Sequence, residues 1–304
     1  MLQSLPAPVK GTFNYIALAA NTFALCTPIF ALSTLKLIPN HSWQKACSVG
    51  CIKIAETWIG INSSLQQTTL GTQYHITGGE SLKYDGWYMV ISNHQSWADI
   101  LVLQSIFNKR MPFYKFFLKK ELIYVPVIGL VWWALDFPFM RRYSKEFLAK
   151  HPELKGKDLE VTRKACEKFK YTPVSIMNFL EGTRFTKEKH LQQKSPYKHL
   201  LKPKSAGIAY AMNIMNEQIN TLVDVTIHYP DGQISFWDFM SGKAKNIHVD
   251  IRTTNIPPEL KLGDYENDAE FRAKFQGWIS DIWQEKDLML DHFKTESSNV
   301  GALK

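Results

Sequence analysis

The sequence predicts an α/β protein, a mixed sheet flanked by helices, with an apolar helical membrane-anchoring segment at its N-terminal end. Three observations carry this. From residue 82 onward, short apolar runs of strand type alternate with stretches of helical periodicity. Two of those runs, 87–91 and 173–180, stop abruptly in polar loops, the place where α/β proteins carry their sites. Residues 12–35 hold no charged side chain, a length of apolar chain sufficient to cross a bilayer.

Taken in order, residues 12–35 (Phe13, Ile16, Leu18, Phe23, Ile29, Leu32) form an apolar helix. The flanks are not those of a cleaved signal. Asn14, Asn21, Thr22 and Pro28 argue against a plain span, and a kinked or half-inserted helix fits as well. Residues 42–61 read as a second, mixed helix in which Trp43 and Trp58 alternate with Lys45 and Lys53, suited to a membrane interface or to an ordinary core. Residues 63–82 are polar and turn-rich, with a strand around His75 ended by Gly78 and Gly79. The domain boundary belongs here: 1–70 a membrane-associated helical segment, 71–304 the main domain.

Beyond it come a helix to Phe107, a strand over 113–118, and a helical stretch interrupted by Pro126 and Gly129. A short strand, 137–140, delivers Arg141 and Arg142, and 143–171 reads as helix broken at His151-Pro152. After the strand 173–180, residues 187–204 form an exposed basic loop with two prolines. Helix 206–215, strands 222–228, 233–237 and 247–253, and a long amphipathic helix 266–293 complete the chain. The run 125–135 is apolar enough for an acyl-channel wall, a core helix or a membrane-facing one.

The chain has 304 residues and a net charge of +8, with 21% charged and 13% aromatic residues, which excludes a disordered protein and suits an anionic partner. Cys26, Cys47, Cys51 and Cys166 have no metal-binding spacing and read as buried thiols in a reducing setting. Nucleic-acid binding lacks any recognition motif, the basic residues being spread over loops.

The first chemical signal is Ser92-Asn93-His94-Gln95-Ser96 at the end of the 87–91 strand, with Asp99 five positions after His94. On one helix five residues turn through about 500°, which would part the two side chains. With His94 in the loop and Asp99 in the first helical turn, the carboxylate folds back to Nδ1, fixes the tautomer and leaves Nε2 to take a proton. Ser96-x-x-Asp99 is equally a helix capping box, which explains both residues by stability alone. The second signal, Glu181-Gly182-Thr183-Arg184, also follows a strand. Gly182 admits close backbone approach, Thr183 offers a hydroxyl and Arg184 a planar fork for phosphate. Glu181 either pairs with Arg184 or positions a substrate hydroxyl. The alternative is a structural turn, and for Arg141 a solvated basic pair.

Asn93-His-Gln-Ser-Trp-Ala-Asp99 and Phe179-Leu-Glu-Gly-Thr-Arg-Phe185 resemble two signature motifs of the glycerolipid acyltransferases, nearest to bacterial-type 1-acyl-sn-glycerol-3-phosphate (lysophosphatidate) acyltransferases. Their order and separation match, and the likeness covers roughly 82–230, with the strand ending at Pro230 as a weak fourth motif. Around Arg141 the chain reads Asp-Phe-Pro-Phe-Met-Arg where the family often has a glycine-bearing aliphatic run. The resemblance implies that His94, oriented by Asp99, deprotonates the 2-hydroxyl of a lysophosphatidate, which attacks a thioester without an acyl-enzyme. It implies that Arg184, with Gly182, Thr183, Glu181 and Arg141, binds the substrate phosphate. The donor is acyl-CoA or acyl-carrier protein, with no cofactor and no metal. The expected partners are the lysophospholipid, the thioester and the lipid bilayer, and the expected location is the cytoplasmic side of the inner membrane. The rivals are another lysophospholipid acceptor and a non-catalytic lipid- or anion-binding membrane protein.

Overall fold

The structure is a computed structural model, and it describes residues 2–140, 157–170 and 172–302. Two long helices come first, α1 (Ala7–Leu35) and α2 (His41–Leu70), packed as a hairpin. α1 runs on through Pro28 and is, among the described residues, the one helix long and apolar enough to cross a membrane. Its Asn14, Asn21 and Thr22 face protein. Asn21 donates to Trp58 O and Asn62 Oδ1, Trp58 Nε1 donates to Thr22 Oγ1, and Asn14 accepts from Thr69 Oγ1 at 2.9 Å. These bonds also explain why α2 continues over 63–70, which the sequence reading left as turns. Asn62, Gln66 and Thr69 are buried polar residues, two of them bonded to α1.

The domain that follows is built on a six-stranded mixed sheet in the order β1-β8-β7-β2-β6-β3. The strands are β1 (Gln73–Gly78), β2 (Tyr88–Ser92), β3 (Tyr114–Lys115), β6 (Ser175–Phe179), β7 (Thr221–His228) and β8 (Asn246–Asn255). β7, β2, β6 and β3 run parallel, whereas β8 pairs antiparallel with β7 and parallel with β1. β2 is buried on both faces, as a central parallel strand must be. The expected strand over 113–118 is split in two: β4 (Leu118–Lys119) leaves the main sheet and pairs with β5 (Phe139–Met140).

Helices cover both faces. α3 (Ala98–Phe107) packs with Val90, Val223 and Val249 on one side. α7 (Ser205–Ile214) and α9 (Ala269–Ala302) pack with Met89, Ile91 and Ile176 on the other. The buried Lys286 of α9 is fastened to β7 by Asp224 Oδ1 at 2.6 Å and Val225 O at 2.6 Å. Between β4 and β7 lie α4 (Ile128–Ala134), α5 (Lys157–Cys166) and α6 (Lys187–Gln193). All four cysteines are buried and none is in a disulfide.

Two expectations are corrected. Residues 233–237 are no strand: Ser235 caps α8 (Phe236–Met240), its side chain accepting from Asp238 N–H while the Asp238 carboxylate accepts in return. Residues 187–204 are not an exposed loop. They begin as α6, capped by Thr186, and continue as a strap in which Tyr197, Leu200 and Leu201 are buried under α9. The strap's N–H groups at Lys198 and His199 donate to Asp287, and Trp283 Nε1 donates to Leu201 O. Arg141, Arg142 and most of the helix expected over 143–171 lie outside the described residues.

Candidate active site

The parallel register of β2 and β6 sets Ser92 beside Phe179, so the two motif loops leave the sheet side by side at the same carboxyl end. Asn93 aims the first loop. Its buried amide donates to Ile227 O and accepts from Ile227 N–H, both at 2.9 Å, prolonging the β2–β7 pairing by one side chain. His94 comes next. Its ring stacks on Phe179 at 4.0 Å between centroids and 17° between planes.

His94 Nδ1 lies 2.8 Å from Asp99 Oδ2. Asp99 is fully buried, and the same oxygen accepts the backbone N–H groups of Gln95 (2.7 Å) and Ser96 (2.9 Å). The capping reading and the orienting reading of Asp99 are thus both true of one carboxylate. Its second oxygen accepts from Tyr229 Oη at 2.6 Å. Burial, then the adjacent Asp99 charge, raises the Tyr229 pKa well above that of a free phenol, so it remains a donor. A carboxylate with four donors on it is an acceptor, so Nδ1 carries the proton and Nε2 is the basic nitrogen. Nε2 has no hydrogen-bond partner among the described residues.

The second loop clamps the first. Glu181 Oε1 accepts the His94 N–H at 2.7 Å, and Phe185 N–H donates to His94 O at 2.7 Å. Glu181 Oε2 accepts from Leu201 N–H at 3.0 Å, tying in the strap. Glu181 is fully buried, and burial pushes its carboxyl pKa up to about 7. This corrects its expected role. Both oxygens are occupied by backbone donors and it reaches neither Arg184 nor solvent, so it holds the His94 loop instead of a phosphate.

Gly182 has φ +65° and its N–H donates to Phe179 O, so that N–H is closed to a ligand. A Cβ here would lie 3.0 Å from Lys204 Cδ and 3.1 Å from Lys204 Nζ, so the missing side chain makes room for the lysine. Lys204 is held by its own N–H to Leu180 O at 2.7 Å. Thr183 Oγ1 accepts from Lys189 Nζ at 2.7 Å. Arg184 is exposed and lies 4.8 Å over the Trp97 ring, which itself packs edge-on against His94 at 6.2 Å. Arg184, Lys189 and Lys204 thus gather around the Glu181–Arg184 loop, and among the described residues none has a carboxylate partner. Asn93, Tyr229, Lys189 and Lys204 were not singled out from the sequence. The only signal for Lys189 and Lys204 was the basic composition of 187–204. A cavity of about 530 Å³ near the α1–α2 turn, lined by Lys36, Lys115, Trp133 and Phe137 among others, includes no residue of the two motif loops.

The site is a buried histidine–carboxylate pair, backed by a phenol and set beside a cationic loop, an arrangement that can accept a proton next to a bound anion. Residues 73–215 match the acyltransferase family model. Among curated relatives, the 1-acyl-sn-glycerol-3-phosphate acyltransferase delta of Rattus norvegicus is 26% identical over 298 residues, covering 92% of this chain and 72% of that protein. The same-named protein of Mus musculus is 26% identical over 216 residues, covering 67% of this chain and 52% of its own length. The 2-acyl-1-lysophosphatidylinositol acyltransferase of Saccharomyces cerevisiae is 25% identical over 256 residues, 70% of this chain and 62% of that one. A solved structure, the 1-acyl-sn-glycerophosphate (LPA) acyltransferase PlsC from Thermotoga maritima, aligns with a TM-score of 0.49 at 16% identity, over 90% of this chain and 98% of that chain.

Proposed function

We propose that the protein is a membrane-associated O-acyltransferase that moves a fatty acyl group from a thioester donor to the 2-hydroxyl of 1-acylglycerol 3-phosphate, giving phosphatidic acid. The observation that carries this is the His94–Asp99 pair at 2.8 Å, clamped by the loop that also presents Arg184.

His94 Nε2 takes the proton of the acceptor hydroxyl as its oxygen attacks the thioester carbonyl. Asp99 stabilises the imidazolium that results. The tetrahedral intermediate collapses by breaking the C–S bond, and the thiolate leaves with the proton held on His94, so proton and acyl group are both accounted for without an acyl-enzyme. Arg184 and Thr183, with Lys189 and Lys204 alongside, hold the acceptor phosphate. Arg141, outside the described residues, is a further candidate for it. The step uses no cofactor, and acyl-CoA and acyl-carrier protein both meet its requirement for a thioester.

The apolar α1 supports membrane association. It is fastened to the domain along its length, by Asn14 Nδ2 to Met240 O near its start and by Lys36, just past its end, to Ala134 O and Asp136. That favours a helix lying at the lipid surface. Placement on the cytoplasmic side of the inner membrane follows from where such donors occur. A second reading, an acceptor with a headgroup on the phosphate, is favoured by the name of the yeast relative.

The test is thiol release from oleoyl-CoA in detergent micelles, with and without lysophosphatidate, for the parent and His94→Ala. Acceptor-dependent release abolished by the substitution supports the proposal. Turnover of lysophosphatidylinositol in place of lysophosphatidate would favour the second reading, and thioester hydrolysis independent of acceptor would refute both.

A further inference from the structure

The turn from the 3-10 segment Lys120–Tyr124 into α4 is unusual among the described surfaces. Tyr124, Val125, Pro126, Val127 and Ile128 are five consecutive exposed apolar residues, Tyr124 at 79% and Ile128 at 48%. Leu130 and Trp133 of α4 continue the exposed face. A run of this kind marks an interaction surface.

It is built, not frayed. Val127 has φ +65°, a strained conformation for a β-branched residue that needs surrounding structure to hold it. Gly129 packs so tightly under the turn that a Cβ would lie 2.3 Å from Ile123 O and 2.7 Å from Leu122 O. The opposite side of the turn is anchored: Leu122, Val131 and Trp132 pack on a cluster containing Ile29 of α1 and Cys51 and Ala55 of α2. The chain is therefore bent so that its inner residues grip the helical hairpin and its outer ones face away from protein.

The place of this ridge identifies its occupant. α4 packs against α1, whose own outer residues Phe13, Ile16 and Phe23 are exposed and apolar. The ridge thus lies beside the C-terminal half of α1, the helix read above as the membrane anchor. It also follows β3 in the parallel direction of β6, past Phe116, whose ring stacks at 6.1 Å on Phe179, the residue under His94. The ridge therefore arises from the carboxyl end of the sheet, where the base sits. Lys119 and Lys120, exposed at its base, suit the phosphate level of a bilayer.

We propose that residues 124–128, with Leu130 and Trp133, form a second lipid-inserting element, separate in sequence from α1, that enters the same leaflet and holds the carboxyl end of the sheet against it. This extends the membrane reading above, and its test is independent of acyl transfer.

The experiment is spin-label depth measurement on the full chain. Cysteines introduced by Val125→Cys and Ile128→Cys carry a nitroxide; the four native cysteines are buried, and labelling of the parent chain provides the blank. Phe23→Cys reports on α1, and Leu262→Cys, exposed beyond the amino end of β7, reports on the opposite end of the sheet. With vesicles of phosphatidylcholine and phosphatidylglycerol, labels at 125, 128 and 23 should lose access to an aqueous nickel chelate several-fold and gain access to oxygen, and the label at 262 should not change. Labels at 125 and 128 that stay accessible to the chelate while that at 23 is shielded would overturn the proposal and leave the membrane role of α1 standing. No shielding at any position would overturn both, whatever the acyl-transfer assay gives. The thermal unfolding of each labelled variant, matched to the parent, shows that the fold is intact.

Discussion

The Tyr229 hydroxyl donates to Asp99 Oδ1 at 2.6 Å, with both residues buried, and so the carboxylate that orients His94 is held from the far side by a residue 130 positions beyond Asp99 in the chain. The phenol satisfies the carboxylate oxygen that the loop cannot reach. Without it Asp99 is held from the loop side alone, and the line from Asp99 Oδ2 to His94 Nδ1 loosens.

Replacing Tyr229 by Phe removes one hydrogen bond to a charged group and leaves the ring packing. A bond of that kind contributes about 1.5–3 kcal/mol. We expect kcat to fall about tenfold or more with KM for the acceptor nearly unchanged. An unchanged kcat together with a lower unfolding midpoint would show that the phenol serves only folding.

His94→Ala and Asp99→Asn should separate chemistry from architecture. The His94 side chain makes one hydrogen bond, whereas Asp99 accepts four. Loss of the base should lower kcat by about 10²–10⁴-fold with little change in stability. Asp99→Asn should lower kcat comparably and also destabilise the fold by about 2 kcal/mol or more, since an amide nitrogen must then face a buried N–H or O–H. Chemical denaturation measured beside turnover makes the comparison, and equal stability of the two variants would contradict it.

Glu181 gives a pH signature. Its pKa is about 7 in the folded chain, against 4.5 for an unperturbed carboxyl, so the folded state binds this proton more tightly. The stabilisation that follows is fully present below about pH 4.5 and is lost as pH rises through about 7, with a total on the order of 3 kcal/mol. Glu181→Gln cannot titrate. Its stability should lack this slope between pH 4.5 and 7. The parent's slope surviving in the variant would assign the titration to another group.

Arg184→Ala should raise KM for a phosphate-bearing acceptor about tenfold or more, and Lys204→Met by less, with smaller effects on an acceptor that has no phosphate. Equal losses on both acceptors would remove these cations from phosphate recognition. Gly182→Ala should cost about 1–2 kcal/mol through its left-handed backbone alone, and more as Lys204 is displaced, seen as a lower unfolding midpoint.

The alternation of elements, β2 with its loop, β6 with its loop, the apolar α1 and the pairing of His94 with Asp99 were all legible in the sequence. Each is a local pattern: an apolar run of strand length, a break in it, or a spacing that returns one side chain to another. The capping box Ser235-x-x-Asp238 is present in the sequence too, but the β-prone residues around it mask the signal, and the pattern of 233–237 predicts a strand where α8 forms. Other features were set by tertiary structure. The polar end of α2 is helical because Asn14 and Asn21 of α1 meet it, and the basic strap is ordered because Asp287, Trp283 and Glu181 take up its backbone groups. Composition reports neither pairing. Glu181 is the sharpest case. Beside Arg184 in sequence it reads as an ion pair or a ligand, yet the fold buries it beneath His94, where its nearest donors come from residues 87 and 20 positions away. The sequence by itself determined which residues stand in the two motif loops at the ends of β2 and β6. Only the packing of β2, β6 and β7 decided which of them face the substrate and which support those that do. Burial and hydrogen-bond partners depend on chain segments far apart in sequence, and no local pattern encodes them.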